Sequence, residues 1–438
     1  MPPVETLSIS TAIPEERGPE VLLGTVALAD CRWYGHHPTY FRAMARALLS
    51  AGYRVVAICP EPVRCGSVVE LVPGWADRFH PVKFEDPPCY LPIPSVDHDP
   101  LSTLQRWRRM RNALRLAEAE TGWKVEFVFF CWLDSFLRFA FSAGLPGMIG
   151  VPWSGLYFRN HHLLAGEQKF KGDVVRYLKG DRLLRHEECH AVGLLDERPS
   201  GYLETHFGVR PVMFPDITNE DLPVVPTELT CRIRERARGR LVLGMISLEP
   251  RKGFLTLLRI AEAAKDRSWF FVFTGPFKTE WFSREEMAYL HDMKAKADRG
   301  EIDHLWLDLD GARIPDGEEY NSLVETFDII MAVYPGWQGS SNALTKASVF
   351  RKPVLASVGG CIESRVREFR LGICIDVSLG TGAAFQAIEC LARGENLDGE
   401  PLQPRFDEYH RQHSSGQLQR SLIEIIQASL PGHASLPD

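Results

Sequence analysis

Apolar runs of strand length alternate with helix-period stretches along most of the chain. The first run, residues 21–29, gives way to a polar turn, Asp30-Cys-Arg-Trp-Tyr-Gly-His-His-Pro38. Apolar positions then recur at Phe41, Met44, Ala45, Leu48 and Leu49, the spacing of one helical face. Gly52 stops that helix, and 53–59 supplies a second strand closed by Pro60. Strand, helix and strand in so short a span form a βαβ unit, so the two strands should run parallel. Residues 60–100 are rich in proline and carry no clear period. Beyond them, 101–121 reads as a long basic helix, 125–132 as an apolar strand, 136–143 as a helix, and 144–152 as a short strand between turns. A polar stretch fills 155–190, and 190–196 and 212–216 read as further strands.

A second series begins at Arg240, with strands at 241–246, 269–274, 304–309, 329–333, 353–356 and 372–375 and helical patterns between most of them. The last helix, 417–430, sets Leu418, Leu422, Ile425, Ile426 and Leu430 on one face. The pattern predicts an α/β protein of two doubly wound Rossmann-like domains facing across a cleft. A disordered tail would occupy 1–20, the N-terminal domain 21–216, a linker 217–228, and the C-terminal domain 229–438 with 417–430 as its closing helix. Ligands in such sheets bind beyond the carboxyl ends of the strands, so the cleft is where function is expected.

Composition narrows the classes. At 438 residues the chain exceeds one ordinary core. A net charge of -7 gives no general attraction to nucleic acid, and no nucleic-acid partner is expected. The ten cysteines form no CxxC pair and several sit in apolar runs, which suits buried thiols in a reducing compartment. Neither a signal-peptide pattern nor an apolar run of membrane-spanning length occurs, so a cytoplasmic protein is expected.

Two loops carry the candidate chemistry. In the first, strand 241–246 runs into Ser247-Leu-Glu-Pro-Arg-Lys-Gly253 and then a helix, which places Arg251 and Lys252 beside the helix start. In the second, strand 329–333 leads to Gln338-Gly339-Ser340-Ser341-Asn342 and a helix carrying Lys346. Small residues let backbone N–H groups approach a ligand, and a helix N-terminus favours phosphate. Two such loops on one sheet edge suit a nucleoside diphosphate.

With Phe271-Val-Phe-Thr-Gly275, the Gly339-Ser-Ser-Asn-x-Leu-x-Lys-Ala347 block, Lys352-Pro-Val-Leu-Ala356 and Val366-Arg-Glu-Phe-Arg-Leu-Gly-Ile373, these loops resemble retaining GT-B glycosyltransferases of the glycogen-synthase-like group, glycosyltransferase family 4. The resemblance spans about residues 20 to 430. It implies transfer of a sugar from a nucleotide-diphosphate donor, as co-substrate, to an acceptor hydroxyl, with retention, without metal and without a tightly bound cofactor. It matches Lys252 to a phosphate-binding lysine and sets Gly275 near the nucleotide. This chain departs from the family at Ser247, where an arginine is usual, and at Gln338 and Lys346, where two glutamates are usual. Lysine cannot accept hydrogen bonds from a ribose, although it can meet a phosphate as a point charge.

On the N-terminal side, Gly35, His36 and His37 occupy the first strand-to-helix loop and Asp134 follows another strand, so these are the candidates on the acceptor side. The basic helix 104–117 carries an apolar stripe that suits peripheral contact with an anionic membrane. His186-Glu-Glu-Cys-His190 matches a zinc-hydrolase spacing, but 190–196 reads as a strand, which would part the histidines. A sugar epimerase or phosphorylase of the same fold, or a silent binding module, are the alternatives.

Overall fold

The computed structural model describes residues 22–91, 99–164, 178–221, 225–311, 314 and 317–430. The expected tail, the end of the chain after 430 and part of the linker lie outside them. Within them, two parallel sheets form, one in each half of the chain.

The N-terminal sheet holds β1 (Thr25–Ala29), β2 (Arg54–Cys59), β3 (Phe79–Lys83), β4 (Phe127–Phe130), β5 (Trp153–Tyr157), β6 (Ala191–Leu194) and β7 (Arg210–Met213), in the order β3-β2-β1-β4-β5-β6-β7. The C-terminal sheet holds β8 (Leu241–Ile246), β9 (Trp269–Thr274), β10 (Leu305–Leu307), β11 (Ile329–Ala332), β12 (Val354–Ser357) and β13 (Gly372–Ile375), in the order β10-β9-β8-β11-β12-β13. All of the named pairings are parallel. Helices cover both faces of each sheet, so central strands such as β9, Trp-Phe-Phe-Val-Phe-Thr, are buried throughout. In both sheets the strand order reverses beside a central strand, and the crevice there opens at the carboxyl edge.

Three expectations change. The strand expected at 144–152 is a short 3-10 turn, Pro146–Met148, and β5 lies just beyond it. Its sequence, Trp-Ser-Gly-Leu-Tyr, hides a strand because Gly155 has no room for a side chain: a Cβ there would stand 2.5 Å from the Phe130 carbonyl oxygen. The closing helix, Ser415–Ser429, packs not on the C-terminal sheet but on the N-terminal one. Leu418, Leu422, Ile423, Ile425 and Ile426 join a core with Phe41, Leu48, Phe129 and Val212. The basic helix, Pro100–Thr121, turns its apolar stripe inward. Trp107, Met110, Leu114 and Ala117 are buried against β4 and its neighbours, and even Arg106 is fully buried, bonded to Asp86 at 2.6 Å and to the Ser135 carbonyl at 2.8 Å. That stripe is therefore not offered to a bilayer. Among the described residues no helix is long and apolar enough to cross a membrane.

Candidate functional site at the facing sheet edges

Ser247 follows β8; it is buried with φ +104 and donates its N–H to the Thr274 carbonyl at 2.9 Å. This ties the first loop to the end of β9, where Gly275 (φ +104) sits so close that a Cβ would meet the Ser247 nitrogen at 2.9 Å. A 3-10 turn, Pro250–Lys252, follows, and Gly253 (φ +71) opens the helix Phe254–Ala263. The turn carries an acid that the sequence reading passed over. Glu249 accepts from Ser247 Oγ at 2.8 Å and Arg251 Nε at 2.6 Å, and lies 3.6 Å from Lys252 Nζ. Partial burial works against its charge, but Lys252, Ser247 and Arg251 together hold its carboxyl below the usual range. The two cations are thus held in place beside an internal counter-ion before any ligand arrives.

The second loop leaves β11 through Tyr334 and reaches the helix Asn342–Val349. Ser341 caps that helix, its Oγ accepting from the Ala343 N–H at 3.3 Å. Gly339 packs against the Trp337 ring, and the Arg251 guanidinium lies over the same ring at 5.2 Å, linking the two loops. Lys252, Tyr320, Tyr334, Asn342 and Lys346 line one pocket, together with Gly244, Met245 and Ile246 of β8 and Ile330 and Met331 of β11. Residues expected from both loops therefore do converge.

Lys346 departs from its expected part. It is only 1% exposed, and its Nζ donates to the Asn219 carbonyl at 2.7 Å and to Asn321 Oδ1, with the Tyr320 ring 5.2 Å away. The amine fastens the linker to the helices Glu318–Thr326 and Asn342–Val349, so it borders the pocket as a structural cation rather than a free phosphate ligand. Ser340 is likewise engaged, donating to Asp216 Oδ1 at 3.0 Å across the domain boundary. Gln338 is exposed, and its carbonyl accepts from Arg198 of the N-terminal domain and from the Cys361 N–H.

The N-terminal edge faces this loop. Asp30 follows β1 directly and is 1% exposed, and its two oxygens lie 2.9 and 2.8 Å from His37 Nδ1. Gly35 (φ +66) makes the turn that brings them together, with His36 exposed just before the helix His37–Ser50. Burial pushes the Asp30 carboxyl up, while the bonds from His37 and the Arg32 N–H act against that rise. The His37 ring stacks on Trp132 (4.3 Å, 25°), and Trp132 stacks on Phe158 (3.7 Å, 16°). This aromatic row runs along the carboxyl edge from β1 through β4 to β5. Asp134, expected to orient an acceptor, instead accepts from the N–H groups of Phe158 and Arg159, both at 2.9 Å. Burial pushes its carboxyl up against the opposing pull of Lys179 and these amides. Both of its oxygens are spent on the loop after β5.

The other signals resolve as ordinary structure. His186 and His190 flank an irregular turn before β6 and share no helix. Asp308 closes a strand-end turn, accepting from Thr274 Oγ1 and the Asp310 N–H. Asp196, Glu197 and Cys361 come close enough to share an ion, but Arg198 and Arg365 already pair with the two carboxylates.

No family model matches the chain, and no curated protein matches it. Solved structures do. Sucrose-phosphate synthase from Thermosynechococcus elongatus aligns at 15% identity with a TM-score of 0.61, over 92% of this chain and 98% of that one. HepE from Anabaena, solved with UDP, aligns at 12% identity with a TM-score of 0.63, over 92% and 100%. A glycosyltransferase from Rickettsia africae aligns at 12% with a TM-score of 0.60, over 93% and 99%. At such identities the likeness shows the fold, the paired Rossmann-like domains of GT-B glycosyltransferases.

Proposed function

We propose that this protein transfers a glycosyl group from a nucleoside-diphosphate sugar to an acceptor hydroxyl, with the donor held by the C-terminal domain. The observation that carries the reading is the convergence of Lys252 from the first loop and Asn342 from the second on one pocket that lies against β8 and β11. Lys252 and Arg251 would meet the leaving diphosphate as charge develops on it, and the capped N-terminus of the Asn342–Val349 helix would add oriented N–H dipoles. These groups supply the positive charge that a divalent ion would otherwise bring, so the proposed transfer proceeds without metal. Uridine is the first base to test, because HepE of the same fold was solved with UDP and with UDP-glucose. That pairing also makes a hexose the first sugar. Retention rests on the family resemblance alone.

Thermal stabilisation by UDP, GDP, ADP and TDP and by their sugars, with and without EDTA, tests the donor site. A ligand that binds only the folded state raises Tm by mass action. One nucleotide family should do so equally with EDTA, and Lys252→Ala should weaken that binding about 10- to 100-fold, as loss of a charge-assisted contact does. No shift with any nucleotide would sink the reading. Stabilisation without transfer or hydrolysis would favour a silent binding module, a reading motivated by the engagement of Lys346 and of the Gln338 carbonyl within the protein.

A further inference from the structure

We infer that the acceptor of this transfer is a phosphorylated sugar, its phosphate held by Arg159, Lys179 and His161 where the chain leaves β5. The inference rests on the transferase reading above and names the chemistry of the acceptor, which that reading leaves open.

The loop after β5 is built to present charge. The Arg159 N–H donates to Asp134 Oδ1 at 2.9 Å, and its carbonyl accepts from Lys179 Nζ at 3.0 Å. The backbone is thus pinned from two sides while the residue itself is exposed. Among the described residues the Arg159 guanidinium has no hydrogen bond or ion pair, and the Lys179 amine bonds only to that carbonyl. His161 lies in the field of Lys179, and Arg138 adds its charge to the same field. Burial pulls the Lys179 amine down, and Arg159 and Arg138 add to that pull against Asp134 and Asp181. Burial and Lys179 likewise lower the His161 imidazole.

The nearby acids are spent elsewhere. Asp134 has both oxygens on backbone amides. Asp181 accepts from the Tyr157 hydroxyl and lies 2.6 Å from His162 Nε2. Elsewhere on its surface this chain pairs arginines with acids, as in Arg42–Glu70, Arg64–Glu61 and Arg393–Glu395. Crowded, partly buried cations with no carboxylate of their own are costly unless a ligand supplies the anion. A phosphomonoester brings a charge of about −1.5 to −2 and three acceptor oxygens, which a guanidinium fork, an ammonium and an imidazole can share. A carboxylate would leave part of that demand unmet.

The place suits an acceptor. Phe158, just before Arg159, stacks on Trp132 and so ends the aromatic row along the carboxyl edge. His161 also feels Asp196, whose partner Arg198 donates to the Gln338 carbonyl of the second loop. The cations therefore border the line where the two domains meet, and a sugar anchored there by its phosphate extends into the cleft. A soluble sugar phosphate and a sugar joined to lipid through diphosphate share this chemistry.

Calorimetric titration at saturating UDP, which occupies the donor loops, tests the site. The probes are inorganic phosphate, pyrophosphate, glucose 6-phosphate, glucose and a glucosyl diphosphate ester of farnesol in detergent micelles. Glucose 6-phosphate should bind about 10- to 100-fold more tightly than glucose, and less tightly as salt is raised. Arg159→Ala and Lys179→Ala should each remove about 10- to 100-fold of that affinity, with UDP binding and Tm recorded as controls. Arg159→Ala alters an exposed side chain, so it keeps the test valid if Lys179→Ala fails to fold. Tight binding of the farnesyl ester alone, lost in the same variants, would support the inference and assign the phosphate to a lipid carrier. Phosphate-bearing probes that bind no better than glucose, or that bind the folded Arg159→Ala protein as well as wild type, would overturn the inference and leave the transferase reading standing. Protein that binds neither UDP nor any other nucleotide would sink the transferase reading, and this inference with it.

Discussion

Gly253 stands where the first loop meets β11, and its backbone conformation (φ +71) is one that side-chain-bearing residues seldom adopt. A Cβ there would lie 2.1 Å from the Val333 carbonyl oxygen. Gly253→Ala should therefore cost about 1 to 3 kcal/mol from strain, more if the clash is not relieved. It should also push Lys252 away from Asn342, so nucleotide affinity should fall beyond what the loss of stability explains. Unfolding midpoints and calorimetric binding of UDP measured together would separate the two effects; equal binding would show that the loop tolerates the shift. Beside it, Glu249 makes a pH prediction. Its folded pKa is depressed, so its contribution is full above the ordinary glutamate value of 4.5 and is lost as pH falls through the lower folded value. Because the group is partly open to solvent, that contribution should stay under about 1 kcal/mol. Wild type and Glu249→Gln should therefore differ in stability at neutral pH and converge in strong acid, a comparison that denaturant titrations at several pH values would make.

The strands of the C-terminal half were legible because parallel strands covered on both faces leave nearly continuous apolar runs, as in 241–246, 269–274 and 329–332. β3 and β5 were not, because prolines surround one and Ser154 and Gly155 interrupt the other. The turn at Lys252 and the helix start after Gly253 were readable from local order alone. The Asp30–His37 pair was half visible: an acid at a strand end followed by a histidine at the first helical position is a local pattern, but the bond itself depends on the turn at Gly35. Burial was the least readable property, which is why Lys346 looked like a phosphate ligand and the amphipathic helix 104–117 like a membrane face. The helix Ser415–Ser429 shows the same limit: its apolar face was evident, its partner was not. Since that face completes the N-terminal core, Leu422→Ala should destabilise the N-terminal unit by about 2 to 5 kcal/mol. Hydrogen exchange should speed first in the helix His37–Ser50 and in β6 and β7, the segments it covers. Acceleration confined to the C-terminal sheet would contradict the packing.

At the scale of the whole molecule, one buried cluster joins the two domains around Asp216. Arg365, on the C-terminal helix Gly360–Glu368, reaches over to Asp216 Oδ2 at 2.8 Å, to Glu197 at 3.0 Å and to the Leu195 carbonyl. Ser340 and Thr345 bind the same aspartate, through Oδ1 and the backbone carbonyl. The Asp216 N–H donates to His413 Nδ1 at 3.0 Å, and burial together with Arg365 keeps that imidazole well below its usual pKa, so it stays a neutral acceptor. Asp216 and Arg365 are 4% and 2% exposed, so removing either leaves the other charge enclosed. Arg365→Ala should thus cost about 3 to 5 kcal/mol. The double variant Asp216→Ala/Arg365→Ala should cost less than the sum of the single changes, with a coupling of about 0.5 to 3 kcal/mol. Because the cluster also holds Ser340 in the second loop, the single variant should loosen the domains and weaken nucleotide binding together. X-ray scattering would then report a larger radius of gyration in Arg365→Ala than in wild type. Additive costs with an unchanged radius would mean that the apolar packing of the Ser415–Ser429 helix, and not this ion pair, sets how the two sheet edges face each other.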